Sequence, residues 1–141
     1  MNQGHILLVE DSEDDADLTI LAFKRANILN EVVVADDGAK GVDHLMGPGR
    51  EALELPVLVI LDLNLPKISG LDVLRRIRAN ERTRLLPVVV LTTSIQDEDL
   101  ITSYSLGANA YVRKPIAFED FLTAAARLGM FWLLTNVPAP N

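Results

Sequence analysis

The chain has 141 residues, 49% of them hydrophobic and 23% charged, which suffices for one well-packed domain and is too apolar for disorder. It contains no cysteine, which excludes disulfides, thiolate catalysis and cysteine-based metal sites. A net charge of −7 without Lys/Arg clusters argues against nucleic-acid binding, and with neither a leader at Met1-Asn2-Gln3-Gly4-His5 nor an apolar run near the ~18 residues of a membrane span, the chain reads as cytoplasmic.

In chain order, His5-Ile6-Leu7-Leu8-Val9 is a short apolar strand that stops abruptly at Glu10-Asp11-Ser12-Glu13-Asp14-Asp15. Asp11 or Ser12 is suited to cap the following helix, whose first turn is acidic as the helix dipole favours and which runs through Leu18, Leu21 and Ala22 to Arg25. Val32-Val33-Val34-Ala35 is a second strand, followed by a short helix through Val42 and Leu45. Residues 46–56 form an unusually long Gly/Pro-containing connection, with a short helix expected at 51–53. The next strand, Val57-Leu58-Val59-Ile60-Leu61, is apolar throughout, the pattern of a strand buried on both faces, yet it ends in Asp62 and gives way to loop chemistry as far as Gly70.

Leu71, Leu74 and Ile77, with Arg75, Arg76 and Arg78 opposite, predict an amphipathic helix whose arginines are a solvated face. Val88-Val89-Val90-Leu91 is a fourth strand ending in Thr92, residues 97–106 form a helix stopped by Gly107, and Ala110-Tyr111-Val112-Arg113 is a fifth strand ending in Lys114-Pro115. Phe118, Phe121, Leu122, Ala125, Leu128 and Trp132 lie at helical spacing and should face the sheet. Five strand–helix repeats predict a doubly wound α/β fold, a five-stranded parallel sheet with helices on both faces. His5 and His44 have no partners at ligand spacing and read as structural or exposed.

In such a sheet the chemistry gathers at the carboxyl ends of the strands, which here carry Glu10 and Asp11, Asp62, Thr92 and Lys114. Three clustered acids repel unless a cation joins them. Mg²⁺ takes oxygen ligands and keeps several waters, which suits Asp11 and Asp62 as direct ligands and Glu10 through water. A nucleophilic oxygen, a metal and cationic or hydroxyl donors are the equipment of phosphoryl transfer, with Asp62 as the reactive group.

Four ordered motifs, Val9-Glu10-Asp11-Ser12, Leu61-Asp62-Leu63-Asn64-Leu65-Pro66-Lys67-Ile68-Ser69-Gly70, Leu91-Thr92-Thr93 and Tyr111-Val112-Arg113-Lys114-Pro115, resemble the receiver domain of bacterial two-component response regulators. The resemblance spans residues 5–128 and implies the flavodoxin-like strand order 2-1-3-4-5 and a Mg²⁺ cofactor. It implies that Asp62 accepts a phosphoryl group from a phosphohistidine on a sensor histidine kinase, that the backbone carbonyl of Asn64 joins Asp11 and Asp62 on the metal, and that Lys114 pairs with the phosphoryl oxygens through a cis Lys114–Pro115 bond. It also implies that Thr92 and Tyr111 are a switch pair and that Asn64 and Ser94 tune the phosphoryl lifetime. The chain then acts as a phosphoacceptor rather than as an enzyme with turnover. The long connection at 46–56 and the closing Leu128-Gly129-Met130-Phe131-Trp132-Leu133-Leu134-Thr135-Asn136 further resemble stand-alone regulators that partner phytochrome-type sensor kinases.

Residues 1–128 are therefore expected to be the receiver domain and 129–141 an extension of the last helix plus a Pro-containing tail. Met130, Phe131, Leu133 and Leu134 place apolar groups on faces that a monomer does not cover, so a homodimer through Met130, Phe131, Trp132 and Leu134 is expected. The downstream partner is an unidentified protein. Two other functions compete: a constitutive interaction scaffold, and an aspartyl-phosphate-forming phosphatase. The phosphatase would need a general acid two residues after the nucleophile, where this chain has Asn64.

Overall fold

The computed structural model describes residues 4–140. Met1-Asn2-Gln3, most of the polar start considered above, and Asn141 at the end of the tail lie outside the described residues. The order of elements is β1 (Ile6–Val9), α1 (Glu13–Arg25), β2 (Val32–Ala35), α2 (Gly38–Met46), β3 (Leu58–Leu61), α3 (Gly70–Ala79), β4 (Val88–Thr92), α4 (Asp97–Ser105), β5 (Ala110–Arg113) and α5 (Phe118–Met130), followed by a π-helical turn (Phe131–Thr135). The strands form one parallel sheet in the order β2-β1-β3-β4-β5. This is the flavodoxin-like order that the resemblance implied.

Each central strand is buried on both faces, and alternation sorts its side chains. Ile6, Leu8, Leu58, Ile60, Val89 and Leu91 pack toward α1 and α5, against Phe23, Phe121, Leu122 and Leu128. Leu7, Val9, Val59, Leu61, Val88 and Val90 pack toward α2 and α3, against Leu45, Val73, Leu74 and Ile77. Ser12, not Asp11, caps α1, its hydroxyl accepting the Asp15 amide at 3.2 Å. No helix among the described residues is long and apolar enough to cross a membrane.

Several expectations are corrected. Residues 51–53 form turns rather than a helix: the Leu53 amide donates to the Arg50 carbonyl, and Arg82 donates to the carbonyls of Leu45 and Leu53. Arg78 is not part of a solvated face. Its guanidinium donates to the carbonyls of Gly107 (2.9 Å), Arg84 (3.0 Å) and Leu86 (2.8 Å) and to Asn109 Oδ1 (2.9 Å), because the connections before β4 and β5 both bring acceptors beside it. His5 and His44 are partners, with Nε2 atoms 2.9 Å apart, an encounter between residues 39 apart that spacing could not show.

Phe118 does not face the sheet. It stands at the first position of α5 and is half exposed, whereas Phe121, Leu122, Ala125 and Leu128 are buried as expected. The chain stays helical past Gly129, where a Cβ would sit 2.7 Å from the Phe23 ring, so glycine lets α5 close on α1. One π turn then carries the buried stripe from Leu128 to Leu133, five residues on, which covers Leu133 within its own core rather than leaving it for a partner. Trp132 is partly buried on the same core, and Met130, Phe131 and Leu134 remain outside.

Candidate functional site

Strand register assembles the site. Val9 lies opposite Leu61, so Glu10 and Asp62 leave the sheet side by side, and the Asp62 amide donates to the Val9 carbonyl at 3.0 Å. Thr92 lies opposite Arg113, which places Lys114 one residue beyond, its amide donating to the Thr92 carbonyl at 2.8 Å. The loop after Asp62 is held by the Gly70 amide on the Leu63 carbonyl and turns through Lys67 in the left-handed region (φ 71°). A Cβ on Gly70 would lie 2.1 Å from the Asp62 carbonyl oxygen, so only glycine lets α3 begin this close beneath the aspartate.

At the centre is one buried ammonium. Lys114 Nζ lies 2.5 Å from Glu10 Oε1, 2.8 Å from Asp15 Oδ2 and 3.0 Å from Asp62 Oδ2. Glu10 and Asp62 are buried and Asp11 is exposed. The Ser12 amide donates to Glu10 Oε2 at 3.2 Å, and the Asn64 amide to Asp62 Oδ1 at 3.3 Å. Burial pushes the Glu10 carboxyl up to about 7, against the pull of the Lys114 hydrogen bond and charge and with a further push from Asp62. Burial also works against the charge on Lys114, but hydrogen bonds to Asp15 and Glu10 and the charges of Asp62 and Glu10 outweigh it, and its pKa is raised above the ordinary lysine value.

Glu10, Asp11 and Asp62 each bring a carboxylate oxygen within 4.8 Å of the others. With Asp15 beside them, the site holds four carboxylates and one ammonium, an excess of negative charge that a hard divalent cation with oxygen ligands would balance. The residues therefore fit the cation that the sequence pattern called for.

The other expected residues form a second, adjoining chain of contacts. Thr92 is fully buried, its hydroxyl accepting the Ser94 amide at 3.3 Å. Ser94 donates its hydroxyl to Asp99 Oδ2 at 2.6 Å, toward the first turn of α4. The Tyr111 hydroxyl donates to the Ser94 carbonyl at 3.4 Å, and its ring is partly buried against the α2/α3 side of the core. Thr92 and Tyr111 are thus linked through Ser94.

The Lys114–Pro115 bond is trans, not cis, since no cis peptide occurs among the described residues. Trans is the ordinary preference even before proline, and Lys114 reaches its three partners without the rarer isomer. Asp15 is the residue that sequence reasoning missed. It read as one more acid in a favourable helix start, although it stands three residues after the cap Ser12, the spacing at which a side chain folds back over a helix end.

The expected residues lie together at the carboxyl ends of the strands, and comparison with known proteins identifies the family. Residues 6–126 match the response regulator receiver domain. The chain is 43% identical to the probable methanogenesis regulatory protein FilR2 of Methanothrix harundinacea, over 93% of this chain and 84% of that protein. It is 40% identical to response regulator Rcp1 of Synechocystis sp., over 95% of this chain and 92% of Rcp1. The Mn²⁺-bound form of Rcp1 superposes with a TM-score of 0.91 at 37% identity, covering 99% of this chain and 100% of that one. The phosphorylated cyanobacterial phytochrome response regulator RcpA does so with a TM-score of 0.91 at 33% identity, covering 99% and 100%. The chain belongs to the response regulator receiver family and is homologous to phytochrome response regulators.

Proposed function

We propose that this chain accepts a phosphoryl group on Asp62 from the phosphohistidine of a phytochrome-type sensor histidine kinase and signals by changing its contacts with other proteins in the cytoplasm. The observation that carries this reading is the Lys114 ammonium 3.0 Å from Asp62 Oδ2 within the cluster of Glu10, Asp11 and Asp62. Similarity to the phosphorylated phytochrome regulator RcpA supports the choice of kinase class.

In this reading an Asp62 carboxylate oxygen attacks phosphorus, the new O–P bond forms as the P–N bond to the kinase imidazole breaks, and the imidazole leaves with a proton. Lys114 stabilises charge on the transferred oxygens, the electrostatic role that dominates phosphoryl transfer. Asp11 and Asp62 with the Asn64 carbonyl, and Glu10 through water, would hold Mg²⁺. The ion supplies neutralising charge for the phosphoryl oxygens when bound. Burial of Glu10 and Asp62 keeps bulk water from weakening these interactions.

Thr92 and Tyr111 then serve as the switch. Turning the Thr92 hydroxyl toward a phosphoryl oxygen withdraws it from the Ser94 amide, and Ser94 in turn carries the Tyr111 contact and the bond to α4. A charge added at Asp62 thereby biases the surface of α4, β5 and α5. Asn64 and Ser94 flank the acceptor and the switch as lifetime-tuning residues. Met130, Phe131 and Leu134, between 39% and 50% exposed, with Trp132 beside them, form an apolar patch suited to a homodimer, which light scattering at micromolar concentration would test.

The decisive experiment is intact mass after incubation with a small acyl phosphate, with and without Mg²⁺, on the native chain and on Asp62→Ala. One added phosphoryl group requiring both Mg²⁺ and Asp62 supports the reading. No adduct and no phosphate release would leave a constitutive scaffold. Rapid catalytic release of phosphate would restore the phosphatase.

A further inference from the structure

A lysine ammonium has three N–H donors, and Lys114 directs them at three different carboxylates, Glu10, Asp15 and Asp62. Two of the three acceptors belong with Asp11 to the oxygen cluster that fits a divalent ion. Asp15 does not. It stands on the first turn of α1, its amide donating to Ser12 Oγ at 3.2 Å and its carbonyl accepting the Thr19 hydroxyl at 2.8 Å, so its backbone is held on both sides of the turn. The contact joins residues 99 apart in sequence, linking the start of α1 to the end of β5 beside the acceptor.

Lysine is a flexible four-carbon stem carrying a point charge, and nothing in its own geometry directs it. Once Glu10 and Asp62 serve as metal ligands, their oxygens are no longer fully available to Lys114, and Asp15 is the remaining one of its three carboxylate partners. We propose that Asp15 is a positioning residue for phosphoryl transfer: it retains one N–H of Lys114 when Glu10 and Asp62 turn to the cation, and so keeps the other two N–H groups over the phosphoryl oxygens on Asp62. The inference rests on the phosphoacceptor reading and extends it. It has a second consequence, because Asp15 draws the ammonium away from carboxylates that the cation needs. Without Asp15, Lys114 competes with the cation for Glu10 and Asp62.

The test is a double-mutant cycle on Mg²⁺ affinity, measured by calorimetry at fixed pH and salt, with Asp15→Ala, Lys114→Met and the pair. Asp15→Ala should weaken Mg²⁺ binding about ten-fold in the native background, but less than about three-fold when Lys114 is already gone, the residue being a long-range charge effect. Asp15→Asn, which keeps an acceptor without the charge, should fall between. The rate of adduct formation with acyl phosphate at saturating Mg²⁺ should drop with Asp15→Ala and largely recover with Asp15→Glu. A second measurement does not depend on the Lys114 variant folding. The Lys114 ammonium resonance in ¹H–¹⁵N spectra should persist in the Mg²⁺-loaded native protein and vanish in loaded Asp15→Ala.

Equal losses of affinity in both backgrounds, no loss at all, or an ammonium signal indifferent to Asp15 would overturn the proposal. Absence of adduct on every variant would instead refute the phosphoacceptor reading, and the Mg²⁺ cycle would still decide the role of Asp15.

Discussion

Replacing Glu10 with Gln tests whether the site is a cluster of acids held together against its own repulsion. The folded carboxyl titrates at about 7 against an ordinary 4.5, chiefly because it is buried. A carboxyl with a raised folded pKa binds its proton more tightly in the native state. Its contribution to stability is therefore fully present below about pH 4.5 and is lost as pH rises through 7. Gln resembles the protonated acid and never pays this cost. In EDTA, Glu10→Gln should be more stable than the native chain by about 1 kcal/mol at pH 5, and the gap should widen to about 3 kcal/mol at pH 8. Urea unfolding at the two pH values measures it, and titrations remote from Glu10 cancel in the difference. Mg²⁺ should then narrow the gap at pH 8, since a ligand at a hundred times its Kd adds about 2.7 kcal/mol to the protein that binds it and less to one lacking the Glu10 carboxylate. A gap of the same size at pH 5 and pH 8 would refute the reasoning.

Two further changes probe the scaffold. Gly70→Ala places a methyl group 2.1 Å from the Asp62 carbonyl, so α3 or the acceptor loop must move; a loss of about 2 kcal/mol in urea unfolding should accompany slower adduct formation at Asp62. Arg78→Met leaves the carbonyls of Gly107, Arg84 and Leu86 without their guanidinium donor and should cost about 2–4 kcal/mol in thermal or urea unfolding, while an exposed neighbour such as Arg75→Met should stay within about 0.5 kcal/mol.

The fold was legible because the hydrophobic pattern carried it. Val88-Val89-Val90-Leu91 and Val57-Leu58-Val59-Ile60-Leu61 admit little besides buried strands, and Asp62 at the end of the second stands out against that background. That Asp62, Glu10 and Asp11 stand at strand ends could be read for the same reason, whereas Lys114 became informative only through the order of the motifs. What escaped was the partnering of charged side chains across long sequence separations. Arg78 resembled its neighbours Arg75 and Arg76 in sequence, but only Arg78 lies where the Gly107 turn and the approach to β4 bring orphan carbonyls together. Phe118 was misjudged for a different reason. Spacing along a helix gives its face, but the first residue of a helix has no preceding turn to pack beneath. The π turn at Phe131–Thr135 likewise has no signature in a 3.6-residue pattern, and it holds Leu133 in the core.

The same distinction separates the two halves of the site. Register alone, with Val9 opposite Leu61 and Thr92 opposite Arg113, forces Glu10 beside Asp62 and sets Lys114 one step beyond Thr92, so any chain with these strands in this order would gather these groups. Register does not say where a flexible lysine points. Three carboxylates decide that here, and the third, Asp15, comes from a helix rather than a strand. Asp15 lies outside the cluster of Glu10, Asp11 and Asp62. In the proposed reading its effect falls on how far the ammonium leans toward Asp62, which would adjust phosphoryl chemistry without touching the acceptor or the expected metal ligands.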